Sequence, residues 1–350
     1  MNKNFQKQRT KKILLDGVKK FHLNLDGLVV FTEAASGNYA YTPISAALAG
    51  AKKVYAITKD SRYGTKEEIT ENIYYLAKEF GVEDKIEVVY EKTKEIISQC
   101  DIVTNSGFVR PIDKTMIDMM KPTAVIPLMW ETWEVREDEI DLEYCREKEI
   151  VVLGTHEDEG GLNLYNATGL MALKMLFDSG LSIYNDKILI IGECPTVKFI
   201  SEVFKSNNLD FNIATLSKND KDLVNSNIQK YDAIIVSEHI KNDLIIGQNG
   251  FIRINEIKEK NPNVVICHIF GNIDVDLIKH NELNLYPKNI APYGYMSYSL
   301  DDIDSRAVIE LIQSGLKVGE VMANNRRYST YQNTITESLE NSLLMGFRND

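Results

Sequence analysis

The chain lacks any apolar run close to the roughly 20 residues that a membrane helix needs, so no spanning segment is expected. Its four cysteines, Cys100, Cys145, Cys194 and Cys267, form no CxxC pair and no zinc-like spacing. A reduced, cytoplasmic protein without a structural metal is the expectation. Excess positive charge is missing as well. A formal charge of -11 argues against a nucleic-acid-binding surface. Short repeats and low-complexity segments are absent.

What remains is ordinary for a soluble globular chain: 44% hydrophobic and 26% charged residues. With 350 residues it can build two domains, each burying its own core. Residues 1–24 form a basic N-terminal segment, with Lys3, Lys7, Arg9, Lys11 and Lys12 preceding the first acid, Asp16. It reads as a solvated, frayed terminus and lacks the apolar core of a signal peptide.

Short apolar strands then alternate with helical patterns. In residues 25–160 strands are expected near 27–32, 53–58, 86–90, 101–104, 123–128 and 150–153, and the acids between 131 and 149 suggest an exposed helix. Residues 161–184 read as a bridging helix, ended by Gly180. Residues 185–300 repeat the rhythm, and 301–350 hold two amphipathic helices expected to pack back on the first lobe. The fold class is therefore α/β, with two Rossmann-like lobes, parallel sheets and an interdomain cleft.

Residues 187–200 form a strand, a turn and the start of a helix, where a dinucleotide fingerprint would have glycine at the first, third and sixth turn positions. Those positions are Gly192, Cys194 and Val197. Gly192 and Thr196 are the candidate pyrophosphate residues. About 20 residues on, where NAD binding needs an acid, stand Ser217 and Lys218, which suit a 2′-phosphate and favour NADP over NAD.

Ligands of open parallel sheets bind beyond the carboxyl ends of the strands, which turns strand ends into candidate sites. Glu33, Ser36, Asn38 and Thr42 precede a helix expected to start at Pro43, whose N-terminus suits a carboxylate or phosphate. The bland alternative is that Thr42 caps that helix. Asn105 and Arg110 follow another strand, and Arg110 can clamp a carboxylate. Trp130 and Trp133 form either a stacking wall or a core plug. His156 lies among acids, and His239 and His268 end two strands of the second lobe. These three are the candidate proton carriers, set against ordinary structural histidines.

Laid out together, the lobes resemble the superfamily of S-adenosylhomocysteine hydrolase and the D-2-hydroxyacid dehydrogenases. The most similar segment is Val265-Ile266-Cys267-His268-Ile269-Phe270-Gly271-Asn272-Ile273-Asp274, which looks like the hydrolase's Asn-Ile-Gly-His-Phe-Asp and places His268 near that family's cofactor-facing histidine. Residues 42–65 follow the layout of the family's first substrate-lobe helix and strand. The glycine fingerprint is reduced to Gly192, and neither family's catalytic set is matched. A second resemblance, of residues 46–55 and 71–89, is to S-adenosylmethionine-dependent methyltransferases.

The first resemblance implies an NAD(P)-dependent oxidoreductase acting on a small polar, carboxylate-bearing metabolite, as a homodimer and without nucleic-acid or membrane partners. The alternative is a non-redox binding or scaffold protein that kept the fold and lost the cofactor. A methyltransferase-like protein is third.

Overall fold

The computed structural model describes residues 3–346. It divides into two compact units, Met1–Asn163 with Ser305–Asp350, and Leu164–Asp304. Both are α/β.

The first unit carries strands β1 (Val29–Glu33), β2 (Lys53–Ile57), β3 (Ile86–Val89), β4 (Ile102–Val103), β5 (Val125–Pro127) and β6 (Val151–Thr155). They pair in parallel in the order β6-β5-β4-β1-β2-β3, with Val30 opposite both Val54 and Ile102. The strands read as continuous apolar runs because both faces are covered. Phe31, Val103 and Ile126 pack in one cluster with Ile97, Ile112 and Met116.

Local chemistry sets the helix ends. Lys66–Phe80 starts at a capping box, where Thr65 accepts the Glu68 N–H and Glu68 accepts the Thr65 N–H, and stops at Gly81 in the left-handed region. The long Ser305–Arg326 helix buries Ile309, Ile312, Leu316 and Met322, and packs on Lys3–Lys20, Tyr41–Leu48 and β5.

Four local expectations change. The basic N-terminal segment is a helix, Lys3–Lys20, rather than a frayed tail. Its inner face buries Ile13 and Leu14, and Gln313 donates to the Leu14 carbonyl. Between 131 and 149 there is no long exposed helix but a 3-10 turn, Thr132–Glu134, and a short helix, Leu142–Glu147, with Glu131 and Glu139 buried. The helix after the first strand begins at Tyr41, not at Pro43, because a 3-10 turn, Gly37–Ala40, leads into it. The final helix is shortened to Tyr331–Leu339, and Leu344–Gly346 adds an antiparallel edge strand to β6.

The second unit holds β7 (Lys187–Ile191), β8 (Asp210–Ala214), β9 (Ala233–Ser237), β10 (Leu244–Gly247), β11 (Ile252–Arg253), β12 (Val265–Phe270), β13 (Asn272–Ile273) and β14 (Asn284–Tyr286). The main sheet runs β14-β12-β9-β7-β8, all parallel, while β10, β11 and β13 form a small second sheet. The sequence signals for β10, β11, β13 and β14 were too short to stand out. Counting from β7, the main order is 2-1-3-4-5, the flavodoxin-like winding, not the 3-2-1-4-5-6 order of dinucleotide domains. The predicted bridging helix, Leu164–Asp178, groups with this unit and packs on Pro195–Ser206.

Candidate functional site

In the first sheet the strand order reverses between β1 and β4, and the ligand crevice of such a sheet lies beyond those strand ends. Glu33 is the last residue of β1 and is buried, at 8% exposure. Its carboxylate accepts the Phe108 N–H from the turn after β4. Gly107 makes that approach feasible. It has a φ of +36°, and a Cβ there would fall 1.5 Å from Glu33 Oε2. Burial pushes the Glu33 carboxyl up from 4.5 to about 7, with Arg110 and the Phe108 N–H pulling the other way. A carboxyl that changes charge near neutrality is equipped for acid–base work.

Glu33, Thr42, Ser106 and Trp130 line one small crevice, together with Tyr39 and Met129. Leu311 and Ile312 of the long C-terminal helix complete its wall. Ser106 belongs to a buried hydroxyl chain: Thr104 donates to Thr32 at 2.9 Å and lies 2.8 Å from Ser106 Oγ. Thr42 does not cap its helix but sits inside the first turn, donating to the Tyr39 carbonyl at 2.8 Å. Ser36 precedes the 3-10 turn without a side-chain cap, and Asn38 lies within it; neither lines the crevice. Asn105 is fully buried; its Oδ1 accepts the Met129 N–H, and its Nδ2 has no partner among the described residues.

Arg110 pairs with buried Glu139 and lies over the Trp130 ring, 5.6 Å from its centroid. Arg136 shares the same carboxylate at 2.8 Å. Arg110 is thus held in place and acts on Glu33 through its charge. Trp133, by contrast, is 53% exposed.

His156 Nδ1 lies 3.7 Å from Glu131 Oε1. Around it burial and like charge raise the carboxyls: Glu134 reaches about 7 and Glu157 lies well above the ordinary range. No group of three or more metal-ligating side chains occurs among the described residues.

The second unit repeats the reversal, between β7 and β9. Gly192 directly follows β7 with a φ of +148°, and a Cβ would fall 1.9 Å from the Ser237 carbonyl oxygen, so only glycine fits. Cys194 is buried, its thiol donating to that carbonyl at 3.0 Å. Thr196 Oγ1 lies 3.0 Å from Ser237 Oγ. The Glu193 N–H, which a phosphate would need, instead donates to Glu238 Oε2 at 2.7 Å. As shaped, this turn does not fit a pyrophosphate. Ser217 caps the next helix by accepting the Asp220 N–H, and Lys218 is that helix's first residue.

His268 is 1% exposed with both ring nitrogens engaged. A carbonyl only accepts, so Nε2 carries the proton to Gly271 O at 3.0 Å, and Nδ1 accepts the Ser297 hydroxyl at 2.7 Å. Burial holds the ring neutral by lowering its pKa. His239 packs edge-to-face on Phe270, at 5.0 Å. These contacts tie strand ends to neighbouring loops.

No family model and no curated protein sequence matches the chain. Solved structures do. Dipicolinate synthase A chain from Bacillus subtilis is 10% identical, covering 91% of this chain and 100% of its own, with a TM-score of 0.51. The fold is that of two-lobe Rossmann-like proteins. A phosphoglycerate oxidoreductase from Vibrio cholerae is 7% identical over 90% of this chain and 99% of its own, with a TM-score of 0.45. At such identities the likeness speaks for the fold alone.

Sequence reasoning missed Leu311 and Ile312, and held Tyr39, Ser106 and Met129 only as unmarked members of the strand-end segments 33–42, 105–110 and 129–133. Ser106 and Met129 lie in strand-end segments and were within reach of that rule. Leu311 and Ile312 lie about 280 residues downstream of Glu33, and nothing local marks them.

Proposed function

We propose that the chain binds a small polar, carboxylate-bearing metabolite in the Glu33 crevice and acts on it by proton transfer. The observation carrying this reading is the buried Glu33 carboxyl, titrating near 7 at the point where the first sheet reverses. Protonated, Glu33 can donate a hydrogen bond to a substrate carboxylate or a proton to a leaving oxygen. Ionised, it can take one back. Ser106 supplies a hydroxyl, Trp130 an apolar wall, and Arg110 a nearby positive charge. The name of dipicolinate synthase, a fold neighbour, denotes a dicarboxylate and supports the substrate class.

An NAD- or NADP-dependent oxidoreductase on the same fold is the second reading. The β7-turn-helix layout with its obligatory Gly192 favours it; the Glu238 contact opposes it. In either case a cytoplasmic homodimer is proposed, and four free, buried cysteines suit a reducing compartment.

A melting-temperature screen tests the choice, because a ligand selective for the native state raises the midpoint. Its probes are dipicolinate and other small carboxylates, NAD(H), NADP(H) and S-adenosylmethionine. A carboxylate that stabilises the wild type but not Glu33→Gln supports the proton-transfer reading. Stabilisation by a dinucleotide alone overturns it in favour of the second.

A further inference from the structure

We infer that Glu238 is a built-in anion for the Gly192 turn, filling with the chain's own carboxylate the place a dinucleotide would give to phosphate. The inference concerns the second unit and does not rest on the Glu33 reading.

Glu238 directly follows β9, and the Gly192 turn directly follows β7, so the two flank the reversal point of this sheet. In doubly wound folds the crevice at that point receives the ligand's phosphates, drawn by exposed N–H groups. Here the Glu193 N–H of that turn is spent internally, on Glu238. Glu238 is fully buried; Oε2 accepts the Glu193 N–H at 2.7 Å, and Oε1 accepts the N–H groups of Ile240 at 2.7 Å and Lys241 at 3.0 Å. Three backbone donors on one carboxylate reproduce the arrangement of an anion nest.

The rest of the turn is closed around it. Cys194 and Thr196 are both engaged with Ser237, so neither the second-glycine position nor the threonine hydroxyl faces outward unpaired. The Glu193 carboxylate accepts from Leu216 N–H and from Lys241 Nζ at 2.6 Å, which also occupies the nearby cation. An incoming pyrophosphate would meet two carboxylates, Glu193 and Glu238, and would find the Glu193 N–H already committed to Glu238. The missing third strand of a dinucleotide sheet points the same way.

The test is calorimetric titration of the full chain with NADH and NADPH, alongside amide shifts of Gly192, Glu193, Cys194, Thr196 and Val197. Wild-type protein is expected to give no saturable heat up to about 1 mM and no movement of the Glu193 amide. Saturable binding that moves this amide would overturn the inference. In Glu238→Ala the freed N–H groups are expected to bind inorganic pyrophosphate at least tenfold more tightly than the wild type. A folded variant without that gain would equally overturn it. If the variant does not fold, the wild-type titration still decides. Neither readout involves Glu33, so this inference and the proposed function can fail separately.

Discussion

Replacing Glu33 by glutamine should stabilise the protein at alkaline pH and leave it little changed in acid. Glutamine keeps the shape and the hydrogen-bond acceptor but cannot ionise. In the wild type, burial raises the carboxyl from 4.5 to about 7, so the folded state holds its proton more tightly than the unfolded chain does. The stability from this group is complete below about pH 4.5 and is lost as pH rises through about 7. At about 1.4 kcal/mol for each tenfold change in proton affinity, the loss amounts to roughly 3 kcal/mol. For a domain of roughly 200 residues that corresponds to about 6–12 °C in Tm. The assay is thermal or urea unfolding of both proteins between pH 4 and 9. Glu134 and Glu157 are raised too, but they contribute the same slope to both proteins, so the difference isolates Glu33. Curves that run parallel across this range would refute the reasoning.

Other expectations follow from the same contacts. Gly107→Ala should expel the Glu33 carboxylate and strain a φ of +36°, costing at least about 1–3 kcal/mol and removing any carboxylate-induced rise in Tm. A normal melt with ligand response intact would contradict the cradle. Gly192→Ala drives a Cβ into the Ser237 carbonyl, so the second unit should unfold several degrees earlier, as read by hydrogen exchange in β7 and β9. Removing the Arg110 charge in Arg110→Gln should move the Glu33 midpoint upward, because that charge lowers it; a downward move would contradict the assignment. His268 is kept neutral by burial, so its stabilising effect is present above its ordinary pKa and lost on acidification. His268→Gln should flatten the acid limb of stability and expose residues 287–298 to protease.

The parallel sheets were legible because their strands are buried on both faces and therefore read as apolar runs: residues 53–58 and 188–191 stand out without any partner in view. Glu33 and Glu238 were legible as strand-end positions, since the rule needs only the strand. Their chemistry was not. Whether Glu33 is solvated or pressed against Gly107 depends on a turn some 75 residues away. That Glu238 reaches back to the Glu193 N–H depends on which strand lies beside β7. The N-terminal helix hid because its buried face rests largely on Ile13 and Leu14 amid lysines, and its partner is the helix at the other end of the chain. His268 shows the same limit. A lone histidine at a strand end looks the same whether its ring faces ligand or, as with His268, a carbonyl and a serine.

The most direct measurement is a carbon-13 NMR titration of the Glu33 carboxyl, assigned by comparison with Glu33→Gln. The account expects a midpoint near 7. A midpoint at the ordinary carboxylate value of about 4.5 would contradict it.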